Sequence, residues 1–217
     1  MPKFVELAKA LASSPEYSNI QLILDVKRSN EPWVISKVVE ILREVNPDME
    51  GFWAKKMVLG IWRADVLKAA IKDAPELPVV FIGISRSLAS WFMKHEQVVG
   101  ISLHYVALSM PGGTAIIKEA RQKGRLVYAW TVNSPKVMKW AVSADVDGVV
   151  TDYPDRFNKL LDSISEDEIK SVYSGNPLKF VSYTDMLVWY PLMFFLGHFY
   201  LLIARLTELI FPGRKKI

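Results

Sequence analysis

The 217-residue sequence contains no cysteine and only three histidines, His95, His104 and His198. The lack of cysteine excludes a disulfide framework and a thiolate metal site. Lysine and arginine are scattered and the net charge is only +4, so nucleic-acid binding is not predicted. Neither a Gly-rich phosphate loop nor a His-Glu-x-x-His motif is recognisable, and residues 1–12 do not resemble a secretory signal. Apolar residues, by contrast, are abundant at 51%, which predicts apolar surface beyond that of a single core.

Short apolar runs alternate with helix-like segments along the first 165 residues. Runs rich in Val, Ile and Leu that polar residues hardly interrupt are typical of parallel strands buried on both faces. The predicted strands lie at residues 20–26, 57–62, 78–84, 98–104, 126–132 and 146–151. The spacing of apolar residues predicts a helix over 32–45. Ser134 with Pro135 predicts a helix N-terminus, and Gly124 predicts a helix stop. This alternation predicts an α/β fold. Six strands alone favour an open sheet, because a β/α barrel needs eight.

The C-terminal tail has a different character. Residues 186–204 form a stretch of 19 residues without Lys, Arg, Asp or Glu. As a helix this stretch would span about 28 Å, close to the hydrocarbon thickness of a bilayer. We therefore predict a membrane-anchoring tail at 185–217, after a domain at 1–165 and a linker at 166–184. Pro191 and Gly197 interrupt the run, so a re-entrant hairpin stays open beside a single span, and a buried or partner-binding helix is the third alternative.

The charges that flank this tail bear on its orientation. Arg205, Arg214, Lys215 and Lys216 follow the apolar stretch, and the positive-inside rule then favours a cytoplasmic C-terminus. We expect a membrane-associated protein that faces the cytoplasm, on the endoplasmic reticulum, a lipid droplet or a mitochondrial membrane.

Candidate functional residues lie at the ends of the predicted strands. Alternation places Asp25 and Lys27 on the same side of the first strand, where they could bind a metal ion and a phosphate oxygen; a structural ion pair is the alternative. Trp130, at the fifth strand, could form the apolar wall of a pocket or belong to the core. For His104 we favour a hydrogen-bonded structural role. Asp152 is predicted to cap the helix that follows the sixth strand.

Three stretches together resemble the glycerophosphodiester phosphodiesterase family. They are LDVK at residues 24–27, AWTVN at 129–133 and VDGVVTDYP at 146–154. The last two, in this order, resemble the C-terminal signature of the family. The sequence is also similar to the fungal phosphatidylglycerol phospholipase C branch of that family, through LDVKRSNE at 24–31, GIW at 60–62, GISLH at 100–104 and the hydrophobic tail.

The resemblance implies a TIM-type β/α barrel that uses a divalent cation, Mg²⁺ or Ca²⁺, to hydrolyse a phosphodiester. It implies that Asp25 is a carboxylate ligand of the metal, that Lys27 contacts the phosphate and that Trp130 lines the substrate pocket. For the phospholipase branch it implies a glycerophospholipid substrate in a membrane, with phosphatidylglycerol converted to diacylglycerol and glycerol 3-phosphate.

Several segments that the family places before these motifs have no counterpart in the sequence. They carry a His-Arg-Gly strand end, a Pro-Glu-Asn run, a Glu-x-Asp strand end and a His-Asp pair, which supply the catalytic histidines and further metal ligands. We therefore expect an incomplete barrel of about six strands whose first strand corresponds to the third of the family, and a chain that by itself does not hydrolyse its substrate. A non-catalytic, membrane-bound relative that binds a lipid or a protein partner is the alternative.

Overall fold

The computed structural model of the chain describes residues 3–173 and, beyond them, the single positions Leu187, Pro191 and Phe195. Apart from these three positions, the predicted tail at 185–217 and residues 174–184 of the predicted linker lie outside the described residues. Among the helices that are described, none is both long enough and apolar enough to cross a membrane.

Strands and helices alternate along residues 3–173, as the apolar runs predict. Six strands form in this part of the chain, and their order in the sheet follows the chain. The strands are β1 Leu22–Val26, β2 Met57–Ile61, β3 Val79–Gly83, β4 Val98–His104, β5 Leu126–Trp130 and β6 Gly148–Val149. The helices are α1 Phe4–Ser13, α2 Val34–Val45, α3 Ala54–Lys56, α4 Ala64–Asp73, α5 Arg86–Phe92, α6 Tyr105–Ser109, α7 Gly113–Gln122, α8 Pro135–Ser143, α9 Pro154–Ser163 and α10 Glu166–Tyr173.

The chain divides into two compact units, of which the first comprises the residues up to Ile82 together with Phe92–Ile101. In this unit β2 and β3 are buried at every position, as expected for strands covered on both faces. β1 pairs in parallel with β2, and the register sets Asp25 opposite Gly60. β1 itself is only partly buried, with Ile23 37% exposed. The expectation that this strand is covered on both faces is therefore wrong.

Helix α2 supplies much of the helical packing of the first unit. Its buried residues, Ile35, Val38, Val39 and Leu42, recur at helical spacing and form one apolar face. The helix contacts α1 and α4, and Trp53 lies fully buried beyond its end. The helix that the sequence predicts over 32–45 is confirmed, with its first turn beginning two residues later.

The second unit comprises Gly83–Trp91 and the described residues from Ser102 onward. Ser134 caps α8, where its hydroxyl accepts a hydrogen bond from the backbone N–H of Val137 at 3.3 Å, and Pro135 occupies the first turn. Helix α7 ends before Gly124, which adopts a φ of +63°, a conformation that glycine reaches without strain. Both boundaries were predicted from the sequence and are confirmed.

The sixth strand is shorter than its apolar run predicts. Only Gly148 and Val149 pair regularly with β5. On the N-terminal side of this pairing, the carboxylate of Asp147 accepts a hydrogen bond from the backbone N–H of Val127 at 2.8 Å. A side chain therefore pairs with this backbone donor of β5. Residues 166–173, the first part of the predicted linker, form α10, in which Glu168 pairs with Lys139 of α8.

Candidate active site

The charged pair predicted at the end of the first strand lies at the carboxyl end of β1. Lys27 Nζ forms an ion pair with Asp25 Oδ2, and the two side chains are 66% and 33% exposed, respectively. Their position on the same side follows from the alternation of side chains along an extended chain. The carboxyl ends of strands are where β/α barrels carry their active sites. The ion pair that the sequence left open as an alternative is therefore present, in an accessible place.

Trp62 is a neighbour of this pair that sequence reasoning did not single out as a site residue. It follows β2 directly, and its indole Nε1 donates a hydrogen bond to Asp25 Oδ1 over 2.7 Å. Because Asp25 lies opposite Gly60 in the parallel register, the residue two positions beyond Gly60 lies next to the end of β1. Gly60 suits this close pairing, since a Cβ atom there would lie only 3.2 Å from Cγ2 of Ile23 and 3.3 Å from the carbonyl oxygen of Leu24, both in β1.

Arg63 ties the loop after β1 to the start of α4. Its guanidinium donates to the carbonyl oxygens of Arg28 and Asn30, at 2.9 and 3.2 Å. It also donates to both carboxylate oxygens of Asp65. This side-chain hydrogen bond holds the pKa of Asp65 below its ordinary value of 3.8. Arg63 therefore orders the segment that follows Lys27.

The carboxylate of Asp25 suits a hard divalent cation in its chemistry, but the described residues do not complete a metal site. Mg²⁺ and Ca²⁺ take six or more oxygen ligands, of which several usually come from carboxylates. Within residues 3–173 no group of three or more His, Asp and Glu side chains is placed to hold a metal ion. The two oxygens of Asp25 each receive a donor, from Trp62 and from Lys27. These residues by themselves do not fit the cation that the resemblance implies.

Trp130 belongs to the second unit and ends β5. Its indole Nε1 donates to the carbonyl oxygen of Ser102 over 3.0 Å. Its ring meets that of His104 edge to face, with the centroids 4.8 Å apart. The side chain is half-buried, so one part of the ring is fixed by the protein and another part is accessible. This arrangement is compatible with both roles that the sequence left open, a pocket wall and a core residue.

His104, at the end of β4, is 8% exposed. Its Nδ1 accepts a hydrogen bond from the backbone N–H of Val106 at 3.4 Å, and its ring stacks on that of Tyr105. The histidine thus begins α6 and supports the ring of Trp130. The structural role that the sequence favoured for His104 is what these contacts show.

A polar cluster beyond β5 and β6 was not predicted. Asn133 Nδ2 donates to the carboxylate of Asp152 over 2.7 Å. Asn133 Oδ1 accepts from the hydroxyl of Thr151 and from the backbone N–H of Asp152, at 3.2 and 3.0 Å. The prediction that Asp152 caps the next helix is wrong, because Tyr153 occupies the N-cap position of α9. The Asp152 carboxylate accepts a hydrogen bond from the side-chain amide of Asn133 instead.

The predicted site residues are thus distributed over both units. Asp25 and Lys27 lie together in the first unit, with Trp62 as their additional contact, whereas Trp130 lies in the second unit beside His104. The signal that could have found Trp62 is the parallel pairing of the first two apolar runs, which sets the ends of both runs side by side.

Two curated proteins are similar to a part of this chain. A probable glycerophosphodiester phosphodiesterase 2 of Mycobacterium tuberculosis is 42% identical over 55 residues, which is 23% of this chain and 21% of that protein. A dermonecrotic toxin of Loxosceles laeta is 43% identical over 56 residues, 24% of this chain and 19% of the toxin. The chain therefore spans about a fifth of the length of each of these two relatives.

Two solved structures share the fold. A glycerophosphodiester phosphodiesterase of Parabacteroides distasonis superposes with a TM-score of 0.57 at 24% identity, over 72% of this chain and 63% of the other. A phosphodiesterase of Oleispira antarctica, solved in complex with the product sn-glycerol-3-phosphate, superposes with a TM-score of 0.58 at 18% identity, over 75% of this chain and 62% of the other. The chain thus covers less than two thirds of either structure. The predicted fold class is confirmed as an incomplete TIM-type β/α barrel, with six parallel strands among the described residues.

The family itself is settled by a match that extends over most of the chain. The model of the glycerophosphoryl diester phosphodiesterase family matches residues 4–156, which include the carboxyl ends of all six described strands. The chain therefore belongs to the glycerophosphoryl diester phosphodiesterase family.

Proposed function

We propose that the chain carries part of the site of a phosphoric diester hydrolase that acts on glycerophosphodiesters. The observation that carries this proposal is the position of Asp25 and Lys27 at the carboxyl end of β1, within the stretch that matches the family model. The product bound to the Oleispira antarctica phosphodiesterase, sn-glycerol-3-phosphate, supplies the chemical class of the ligand, a phosphate monoester on glycerol.

Lys27 is the residue that we assign to the phosphate. Its side chain is two-thirds exposed, and its ammonium group forms an ion pair with the carboxylate of Asp25. An ion pair in water contributes little stability, since solvent screens the charges and two side chains must be held in place. An incoming phosphate can therefore draw Lys27 away from Asp25 at low cost. Within the second unit, the resemblance assigns Trp130, whose indole is fixed by Ser102, to an apolar contact with the glycerol or lipid part of a substrate.

At the finer level, we propose a glycerophospholipid as substrate, with phosphatidylglycerol cleaved to diacylglycerol and glycerol 3-phosphate. The support is the resemblance of GIW at 60–62 and GISLH at 100–104 to the phospholipase branch. Because Trp62 contacts Asp25, the first of these stretches reaches the end of β1. A divalent cation bound through Asp25 remains part of this proposal and requires ligands beyond the described residues.

A second candidate is a non-catalytic, membrane-bound relative that binds a lipid or a protein partner. The engagement of both Asp25 oxygens and the lack of a three-ligand cluster among residues 3–173 favour it. Both candidates include the proposal that the 217-residue chain by itself releases no diacylglycerol. The genomic sequence upstream of Met1 separates them: in-frame codons for His-Arg and Pro-Glu-Asn motifs would favour the enzyme, and stop codons throughout would favour the binding protein.

The tail adds a location to the proposal. The 19 uncharged residues at 186–204 and the basic residues after them support a membrane-associated protein whose barrel part faces the cytoplasm. Held at a membrane, the chain would meet a lipid substrate at a high effective concentration.

Binding of glycerol 3-phosphate to the 217-residue chain tests the phosphate role of Lys27. We expect Lys27→Met to weaken binding about tenfold, the factor for a hydrogen bond that involves a charged group. The matched control is Lys68→Met, which removes an exposed lysine of α4 and should leave the Kd unchanged. Isothermal titration calorimetry gives the Kd values, and equal affinities for the two variants would contradict the assignment.

A further inference from the structure

We propose that Trp62 is a positioning residue, which holds the Asp25 carboxylate through one oxygen and thereby keeps Lys27 available to a phosphate group. This inference rests on the proposed function, because it assigns to Trp62 an effect on phosphate binding at Lys27. It concerns only residues of the first unit, at the adjacent ends of β1 and β2.

The hydrogen bond from Trp62 comes from a less exposed side chain than the ion pair that Lys27 makes with Asp25. The indole Nε1 lies 2.7 Å from Oδ1, a distance typical of a charge-assisted hydrogen bond. Trp62 is half-buried and follows the fully buried β2, so its backbone is held by the sheet. An indole N–H can only donate, and a carboxylate beside it is therefore a matched partner.

The contact of Asp25 with Lys27 differs in both exposure and flexibility. Lys27 is 66% exposed at the end of a four-carbon side chain, and water competes with the carboxylate for its ammonium group. When a phosphate approaches, Lys27 can exchange partners while Trp62 keeps Oδ1. This exchange leaves Oδ2 of Asp25 without its contact to Lys27.

Removal of the indole would change this exchange in two ways, both of which weaken phosphate binding. Asp25 would lose a hydrogen-bond donor that partly offsets its negative charge, and its carboxylate would therefore attract Lys27 more strongly. The carboxylate would also be free to rotate and to offer both oxygens to the ammonium group. Either change makes Asp25 a better competitor with the phosphate, and both act through Asp25 alone.

Binding of glycerol 3-phosphate to single and double variants of the 217-residue chain measures the effect. We expect Trp62→Phe, which keeps an aromatic ring, to weaken binding about fivefold, less than the full value of a charge-assisted hydrogen bond because the effect reaches the phosphate only through Asp25. Trp33→Phe is the matched control, since Trp33 lies in the same unit and is 66% exposed; its Kd should equal that of the wild type. In an Asp25→Ala background, Trp62→Phe should change the Kd less than twofold, because the two residues act as one unit.

The indole N–H resonance of Trp62 gives a second measurement that does not depend on binding or activity. We expect Asp25→Ala to shift this proton resonance upfield in ¹H–¹⁵N spectra, because it loses its acceptor, while the Trp33 resonance stays in place. An unchanged Trp62 resonance would overturn the inference. So would an undiminished fivefold effect of Trp62→Phe in the Asp25→Ala background, which would show that Trp62 acts by another route.

If the wild type does not bind glycerol 3-phosphate at all, the proposed function fails and the role of Trp62 in phosphate binding fails with it. The Asp25→Ala spectrum would still decide whether the contact itself exists.

Discussion

At the scale of single residues, side-chain amides and indoles hold the polar groups at the strand ends. Trp62 fixes Asp25, Trp130 is fixed by the carbonyl oxygen of Ser102, and Asn133 connects the segment after β5 with the segment after β6. Each of these bonds joins residues from different strands or from the segments that follow them. The polar groups are thus positioned by neighbouring strands and not by their own loops alone.

Asn133 should contribute to stability as well as to the order of these loops. Asn133→Ala removes three hydrogen bonds to Thr151 and Asp152 at a half-buried position. We expect a loss of about 1 to 2 kcal/mol in the free energy of unfolding, measured by urea denaturation. Lys136→Ala, an exposed substitution three residues further on, should change it by less than about 0.5 kcal/mol. Equal midpoints for the two variants would show that the Asn133 bonds carry no net stability.

Local patterns predicted some of these residues and not others. The spacing of Asp25 and Lys27 places them on one side of a strand, and this inference needs only the geometry of an extended chain. The bond of Trp62 to Asp25 depends on the register between β1 and β2, residues 37 positions apart in sequence, which no local pattern contains. The same holds for Asn133 and Asp152, which are 19 positions apart.

At the scale of secondary-structure elements, apolar runs located the strands because their Val, Ile and Leu residues are the buried ones. The predictions of strand burial and strand length are wrong at the margins of the sheet. β1 contains apolar residues that remain partly exposed, and β6 is cut to two residues although its run is longer. An apolar run indicates burial on average, and it does not contain the information on which strands flank it.

The end of α2 offers a prediction at this scale. Trp53 is fully buried, and its indole Nε1 donates to the carbonyl oxygens of Leu42 and Asn46, at 3.0 and 2.8 Å. These carbonyls belong to the last turn of α2 and to the residue after it. That of Leu42 also accepts the backbone N–H of Asn46 at 2.8 Å, so the indole is an additional donor at the helix end. Trp53→Phe would remove the donor and leave a small void.

We expect Trp53→Phe to lower the free energy of unfolding by about 2 kcal/mol, from the lost hydrogen bonds and the void together. Thermal and urea denaturation measure the loss. Trp33→Phe makes the same chemical change at a 66% exposed position and should alter stability by less than about 0.5 kcal/mol. A loss no larger for Trp53 than for Trp33 would contradict the role of the indole at the end of α2.

At the scale of the whole molecule, the chain combines a barrel-type fold with an apolar C-terminal sequence. The fold could be predicted because motifs at three strand ends resembled one family, whereas six apolar runs alone favoured an open sheet. The identity of the ligand could not be predicted from these motifs, since it depends on the shape of a pocket that distant residues form together.

The tail should hold the protein at membranes. Phe194→Arg combined with Leu196→Arg places two charges in the middle of the uncharged stretch, where each costs roughly 2.5 to 3.5 kcal/mol on insertion scales. We expect this variant to lose co-sedimentation with phosphatidylglycerol vesicles. The control Phe194→Leu with Leu196→Phe keeps the stretch apolar and should sediment like the wild type. If the arginine variant still sediments with the vesicles, the tail is not the anchor.

The proposed function depends on recognition of a phosphate by Lys27 at the carboxyl end of β1, next to an Asp25 held by Trp62. A crystal structure of the 217-residue chain with glycerol 3-phosphate tests it most directly. We expect a phosphate oxygen within hydrogen-bond distance of Lys27 Nζ, with the lysine moved away from Asp25 and the bond from Trp62 to Asp25 retained. A phosphate bound elsewhere, with Lys27 still paired to Asp25, would contradict it.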